Sequence, residues 1–508
     1  MALPLAPRFR RPLVALLCAQ FLLTACGATE PPAIGVGTAR WPKPALQVTQ
    51  TEPNFQAPSA THCARPVQTH ETPGTRSTAQ LERRSRLADA SAGASLDAPP
   101  AGALRKPSPP AAAPAKAYGS AAGELAAALP SVAEAPPPAA VAVPAPPAPP
   151  ASNKSPSQAP RPANEPVTAG MVDDNADFNE YLSFRGRTQV PHRERDIGVR
   201  YLLQVRDARG AVVPDAEVAV QAPSGAAMWA RTDAGGRAWL HPNAFDASRS
   251  RMYEVTVRKN GRQSTAFLQR GQKNAVDVVL DRPGAAPARA QLDLVFLIDA
   301  TGSMDDEIAK LKGTLRTIAD EVARLPSRPD TCFGLVAYRD RTDDFIVRRH
   351  DFTNDLGAFQ GVLDALQAAG GGDYPEAMNE ALNETVHKLS WRGTGTTRLV
   401  VLLADAPPHL DYGGPQYDDD MVAALGKGIK VFSVGASGLD KQGEYIQRQI
   451  AQYTGGRFVF LTYKEGANPA SGPGSQTLHD VGNYSVQTLD RLIVRLVSEE
   501  LSKLPAGG

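Results

Sequence analysis

The chain predicts an α/β fold built on a doubly wound, mostly parallel sheet, preceded by an all-β sandwich and a Pro/Ala-rich tether. Three observations carry that expectation. Runs such as Leu292–Ile298 and Leu399–Ala404 are apolar and stop at Asp299 and Asp405, as strands buried on both faces of a parallel sheet do. Amphipathic stretches alternate with such runs to the C-terminus, which a sheet covered by helices on both faces requires. Before them, from about Asp196 to Asp281, short alternating segments are separated by turns such as Asn260-Gly261, the spacing of antiparallel strands.

Residues 1–25 have the layout of a secretory signal, with Arg8, Arg10 and Arg11 ahead of an apolar stretch, Leu13 to Leu23, too short to span a bilayer with ease. Leu23-Thr24-Ala25-Cys26 resembles the bacterial lipobox, which implies that Cys26 becomes the lipidated first residue of the mature protein. Gly27 follows where an Asp would imply retention at the inner membrane, so the resemblance implies a lipid-anchored envelope protein of the outer membrane. Residues 26–177 then read as a linker: 27 of the 45 prolines fall between residues 31 and 170, and such composition cannot bury enough apolar surface to offset chain entropy. As a flexible coil about 140 residues would span roughly 60–70 Å, so its role is reach. The acidic string Asp173, Asp174, Asn175, Asp177 lacks the glycine and closing Glu of a calcium loop and reads as solvated linker. With Cys18 in the signal and Cys26 modified, only Cys63 and Cys332 remain. Cys332 lies in an apolar run and reads as a buried small hydrophobe, a disulfide to Cys63 being the alternative; no Cys or His spacing suggests zinc.

Residues 178–283 are expected to form the β-sandwich, with strands at Val199–Arg206, Ala216–Gln221, Ala226–Thr232, Arg237–His241, Tyr253–Lys259, Ser264–Gln269 and Ala275–Leu280. The turn-and-strand pattern from Val205 to Leu240 is similar to carboxypeptidase-regulatory or transthyretin-like domains, which implies a presenting spacer or, as the alternative, a ligand-binding module. Residues 290–503 are expected to form the doubly wound domain: strand Leu292–Ile298, helix Asp305–Leu325, strands Cys332–Tyr338 and Phe345–Asp351, helices Leu356–Gln367 and Pro375–Leu389, strand Leu399–Ala404, strand Lys430–Val434, helix Lys441–Tyr453, strand Arg457–Leu461 and helix Val486–Leu501.

In open α/β sheets, ligands bind outside the carboxyl ends of the strands. Asp299, Thr301 and Ser303 stand at such an end, Asp405 stands at another, and Gly370-Gly371-Gly372-Asp373-Tyr374-Pro375-Glu376 forms a flexible loop carrying a carboxylate. All offer oxygen, the donor that hard cations prefer. From Ala290 to Lys503 this trio, in this order, resembles the von Willebrand factor A family, whose metal-ion-dependent adhesion site uses Asp-x-Ser-x-Ser and residues of two later loops. The resemblance implies a Mg²⁺ (or Mn²⁺ or Ca²⁺) held by Asp299, Thr301, Ser303, Asp373 and Asp405. Thr301 replaces Ser but keeps the hydroxyl. Asp373 falls where adhesive members carry Thr, and a directly bound carboxylate there would leave the ion less attractive to a partner's acidic group. Asp306 and Glu307 read as helix N-terminal charges, with an adjacent cation site as the alternative. Asp411, Asp418, Asp419 and Asp420 read as a solvated acidic rim, with a contact surface for a basic partner as the alternative.

The net charge of +1 and the absence of a basic stripe argue against nucleic acid as partner. A haloacid-dehalogenase-like phosphatase would need Asp at position 301, a serine hydrolase a Gly-x-Ser-x-Gly elbow at Ser303, and a P-loop enzyme its Gly-Lys motif; none is present. The expected function is divalent-cation-dependent binding of a protein or other envelope ligand, without catalysis. The competing expectation is a structural scaffold module, with a metal-dependent hydrolase third.

Overall fold

The computed structural model describes residues 63, 68–79, 165–281, 289–372, 374–393 and 395–505. Cys26 and Asp373 lie outside the described residues, and so does most of the expected tether. Two strands nevertheless stand within that tether, β1 (Thr69–Pro73) and β2 (Thr168–Val172), followed by helix α1 (Phe178–Arg187). Next come β3 (Tyr201–Asp207), β4 (Glu217–Gln221), β5 (Ala227–Arg231), β6 (Arg237–Leu240), α2 (Pro242–Phe245), β7 (Met252–Lys259), β8 (Arg262–Gln269) and β9 (Ala275–Leu280). These strands form a three-stranded sheet, β6-β3-β9, and a four-stranded sheet, β5-β4-β7-β8. Period-two alternation is visible in β3, where Tyr201, Leu203 and Val205 are buried and share one apolar cluster with Val218, Val220, Val255 and Val257 of the other sheet.

The C-terminal part runs β10 (Gln291–Asp299), a 3₁₀ turn (Gly302–Met304), α3 (Asp305–Ala323), β11 (Asp330–Tyr338), β12 (Phe345–Thr353), α4 (Leu356–Ala365), α5 (Met378–His387), β13 (Thr396–Ala404), α6 (Tyr417–Lys427), β14 (Ile429–Gly435), α7 (Lys441–Tyr453), β15 (Phe458–Glu465), β16 (Asn468–Pro473), β17 (Gln487–Thr488) and α8 (Leu489–Ser502). The large sheet has the order β1-β12-β11-β10-β13-β14-β15-β2-β17, with β16 paired to β15. Its centre, β11 to β15 through β10, β13 and β14, is parallel, whereas β12, β1 and β2 pair antiparallel. The sheet is therefore mixed, with a parallel middle and antiparallel margins.

Successive residues of β10 point to opposite faces. Leu294, Phe296 and Ile298 join Ile308, Leu311 and Leu315 of α3 on one side, and Val295 and Leu297 join Met378 and Leu382 of α5 on the other. Burial on both faces is what makes the run apolar throughout. Helix ends follow local chemistry: Asp355 accepts from Ala358 N at 3.0 Å to cap α4, Asp440 accepts from Gly443 N at 2.7 Å to cap α7, and Gly428 closes α6 with φ 66°.

Several expectations need correction. Cys332 is disulfide-bonded to Cys63 rather than a free core thiol, and that bond pins the chain at the first described residue. The linker does not run unbroken from 26 to 177, because β1 pairs with β12 and β2 with β15. Residues 173–177 are not solvated linker: Asp174 is buried against Arg448 at 2.6 Å, Asp173 meets Arg457 at 2.9 Å, and Asp177 caps α1. Helix α1 is an element of its own ahead of the small sheets, and it docks on α7, where Arg185 Nε donates to Tyr445 Oη at 2.9 Å. The string Asp418–Asp420 is the first turn of α6, with Asp418 and Asp420 buried. Three carboxylates there suit the positive end of the helix dipole. Asp418 meets Arg195 at 2.7 Å, and Asp420 accepts from Asn383 Nδ2 at 2.9 Å.

The small sheets are joined to the large one through buried charge. Asp215, at φ 51°, accepts from Arg231 Nη1 at 2.5 Å, Lys259 Nζ at 3.1 Å, Arg398 Nη1 at 3.0 Å and the Gly395 amide at 2.5 Å. Burial alone would raise its pKa, but Arg398, Arg231 and Lys259 outweigh it and hold the carboxyl well below the usual range.

Candidate metal site

The parallel register sets the site. Ile298 of β10 lies opposite Leu403 of β13, and Asp299 lies opposite Tyr338 of β11. The residues that end these strands, Asp299, Tyr338 and then Asp405, are thereby brought to one edge of the sheet, and all three are buried. After Asp299 the chain turns at once. The Thr301 amide and hydroxyl donate to Asp299 Oδ1 at 3.0 and 2.7 Å, and the Thr301 and Ser303 hydroxyls lie 3.0 Å apart. Thr301 is buried and Ser303 is exposed, so the cluster has a closed floor and an open outer side.

The other oxygens of this pair of aspartates are the telling ones. Asp299 Oδ2 and Asp405 Oδ1 are buried without a hydrogen-bond partner, as is the Tyr338 hydroxyl. Ionised carboxylates only accept, and buried acceptors left unsatisfied are costly. Burial pushes the Asp299 carboxyl up, and burial together with the charge of Asp299 pushes Asp405 up. Burial and the charges of Asp299, Asp405 and Glu376 push the Tyr338 hydroxyl up as well. Such a group needs a proton or a cation between its oxygens. Two carboxylates and two hydroxyls supply the hard oxygen donors that fit a divalent cation.

The glycine loop approaches from the side. Gly302 N donates to Gly370 O at 3.0 Å, and Gly371 N donates to Asp343 Oδ2 at 2.8 Å. Gly371 has φ +66°, and a Cβ there would lie 2.9 Å from Glu376 Oε1 and 3.1 Å from Thr301 Cβ. Glu376 is buried, and its backbone is held by Pro407 O and His409 N at 3.1 and 3.2 Å. Sequence reasoning left Glu376 out of the ligand set. Its signal is the carboxylate that ends the Gly370–Glu376 loop. Gly371→Ala is expected to weaken divalent-ion binding about tenfold or more, since backbone strain of this kind costs about 1–3 kcal/mol; calorimetric titration of Mn²⁺ measures it.

Glu307 is more than a solvated helix charge. It is buried, accepts from Tyr463 Oη at 2.6 Å and from Ser437 N at 3.1 Å, whereas Asp306 is exposed. Asp411 is exposed and meets His409 Nδ1 at 3.0 Å, with the Tyr412 ring stacked on His409 at 3.5 Å.

Cys63, Asp293 and Cys332 form a second candidate: among the described residues their ligand atoms lie within 4.8 Å of one another, and all three are buried. With the two sulfurs bonded to each other, neither is the thiolate that a metal binds. Asp293 accepts from Arg392 Nε at 2.7 Å and Arg392 N at 2.9 Å. This cluster can hold a cation only when the disulfide is reduced.

Parts of the chain are similar to known proteins. The alpha-protein kinase vwkA of Dictyostelium discoideum is 30% identical over 124 residues, covering 23% of this chain and 19% of that protein. The ariadne-like RING finger protein R811 of Acanthamoeba polyphaga mimivirus is 28% identical over 123 residues, covering 24% and 12%. The chain thus spans less than a fifth of the length of these curated relatives. The pilus adhesin SpaC of Lactobacillus rhamnosus GG, in its open conformation, matches at 14% identity over 40% of this chain and 29% of that one, with a TM-score of 0.25, which is too low to carry an argument. Residues 293–409, from the middle of β10 to the loop beyond Asp405, match the family described as the von Willebrand factor A domain.

Proposed function

We propose that the chain is a divalent-cation-dependent binding protein of the bacterial envelope, anchored through lipid on Cys26 and acting through the cluster at the carboxyl edge of the large sheet. The single observation that carries this reading is the pair of buried, partnerless carboxylate oxygens, Asp299 Oδ2 and Asp405 Oδ1, beside two hydroxyls. Asp299, Thr301, Ser303 and Asp405 would hold the ion, with Glu376 on the loop that flanks it. The bound ion supplies an electrophilic point on which an acidic or oxygen-bearing partner group docks. The exposed Ser303 side leaves room for that group. The reading is of binding rather than turnover.

The two small sheets, placed before the metal-binding region, serve in this reading as a β-sandwich spacer. Among the described residues no helix is long and apolar enough to cross a membrane. Calorimetric titration of Mg²⁺ and Mn²⁺ into the metal-stripped full chain tests the site. Saturable binding that Asp299→Ala abolishes supports it. A folded wild type that binds neither ion sinks the metal mechanism and leaves the scaffold reading.

A further inference from the structure

The first described residues do not lead away from the molecule. Cys63 is bonded to Cys332 on β11, and its carbonyl accepts from Asn354 N at 3.0 Å. Gln68 O accepts from Asp351 N at 2.9 Å, and β1 then adds to the free side of β12. Beyond β1 the chain crosses onto the loop that follows β11. Gly74 N donates to Asp344 O at 3.1 Å, Thr75 N to Arg341 O at 2.9 Å and Arg76 N to Asp343 O at 3.2 Å. A Cβ at Gly74 would lie 2.1 Å from Asp343 O, so the approach is open only to glycine.

Asp343 is the link. Its side chain is 1% exposed. Oδ1 faces Arg76 at 3.5 Å, and Oδ2 accepts from Asp340 N at 3.2 Å and from Gly371 N at 2.8 Å. A Cβ at Gly370 would lie 2.2 Å from Asp343 Oδ1, so the carboxylate is seated directly against the glycine loop. That loop is the one held to Gly302 and flanked by Thr301 and Glu376.

Little apolar burial retains the segment. Every residue of β1 is exposed, and a strand with no buried face is marginal by itself. The disulfide keeps it at high local concentration beside β12.

We propose that residues 68–79, clipped by Cys63–Cys332, are a positioning strap for the metal site. The strap fixes the 340–344 loop, Asp343 fixes the Gly371 amide, and the glycine loop is thereby held in its ion-binding shape. The inference rests on the metal-site reading above for its effect on affinity, but not for its effect on the loop.

Two variants of the full chain test it. Cys63→Ala with Cys332→Ala opens the clip without creating thiol ligands, and Gly74→Val pushes the strap off with the disulfide intact. The readouts are Mn²⁺ titration and hydrogen exchange at the Gly371 amide in the metal-free protein. Both variants are expected to bind Mn²⁺ about 10–100-fold more weakly, the usual cost of losing an outer support of a metal site. Gly371 should exchange at least about tenfold faster, while Val401 in the centre of β13 stays protected, which separates a local release from general unfolding. Wild-type affinity, or unaltered Gly371 exchange, in both variants overturns the strap. If the wild type binds no Mn²⁺, the metal reading fails and the exchange data alone decide: faster exchange at Gly371 keeps the positioning role, and unaltered exchange removes it.

Discussion

Asp405→Asn is expected to stabilise the metal-free protein near neutral pH while abolishing divalent-ion binding. Asp299 and Asp405 are both pushed above the ordinary aspartate value of 3.8, to about 6 and about 7. Their folded forms hold protons that the unfolded chain has released, so the native state binds more protons than the unfolded one. Stability contributed by these protons is complete below pH 3.8 and is lost as pH rises through the raised values. The loss is about 1.4 kcal/mol per pH unit for each proton concerned. In the metal-free wild type the unfolding midpoint should therefore fall between pH 4 and about 7.5, and more steeply than in Asp405→Asn, which lacks one of the two charges. A divalent cation takes the place of the protons. Mg²⁺ should raise the wild-type midpoint strongly at pH 8 and little at pH 5, and should leave Asp405→Asn unmoved. Thermal unfolding at four pH values, with and without Mg²⁺, reads all of this. Equal pH slopes for the two proteins would mean that these carboxylates do not face each other across a buried site.

The second large effect concerns stability alone. Asp215→Asn should lower the unfolding free energy by about 3–5 kcal/mol, the usual consequence of removing one partner from a buried ion pair. Arg398, Arg231 and Lys259 would lose the anion they share. Asn is the informative replacement because it tolerates the positive φ of this position, so the charge is removed without backbone strain. Asp215→Ala should cost more. Because the chain has several folded parts, the denaturant midpoints of the small sheets and of the large sheet are followed separately. A loss confined to one of them would show that the contact does not couple the two.

The elements legible in the sequence were those whose pattern is local. The run before Asp299 and the run before Asp405 had to be strands, because an apolar stretch of that length with helices on either side has few other places to go. The helix expected over Lys441–Tyr453 is found with those bounds. Features that depend on a distant partner were not legible. Asp174 looks solvated until Arg448, 274 residues on, is folded against it. The segment THETP has no alternation and contains proline, so nothing local marks it as β1; pairing with β12 and the clip at Cys63 make it a strand. Asp418–Asp420 read as a rim because they follow His409 closely in the chain, yet they form the first turn of α6, where the helix dipole offsets their charge. Glu376 was overlooked because its role depends on how the glycine loop folds back beside Thr301.

Under the proposed lipid attachment, the pinning of Cys63 also limits how far the disulfide can stand from the membrane. For a head anchored at Cys26, the chain available for clearance above the bilayer ends at the disulfide, not at β2. About 37 residues separate Cys26 from Cys63, and fully drawn out they cover at most about 130 Å. Measured to Glu165 the distance is about 139 residues and at most about 500 Å. For a chain lipidated at Cys26 as proposed, Cys63 itself stands no more than about 130 Å from the lipid surface while the clip is closed.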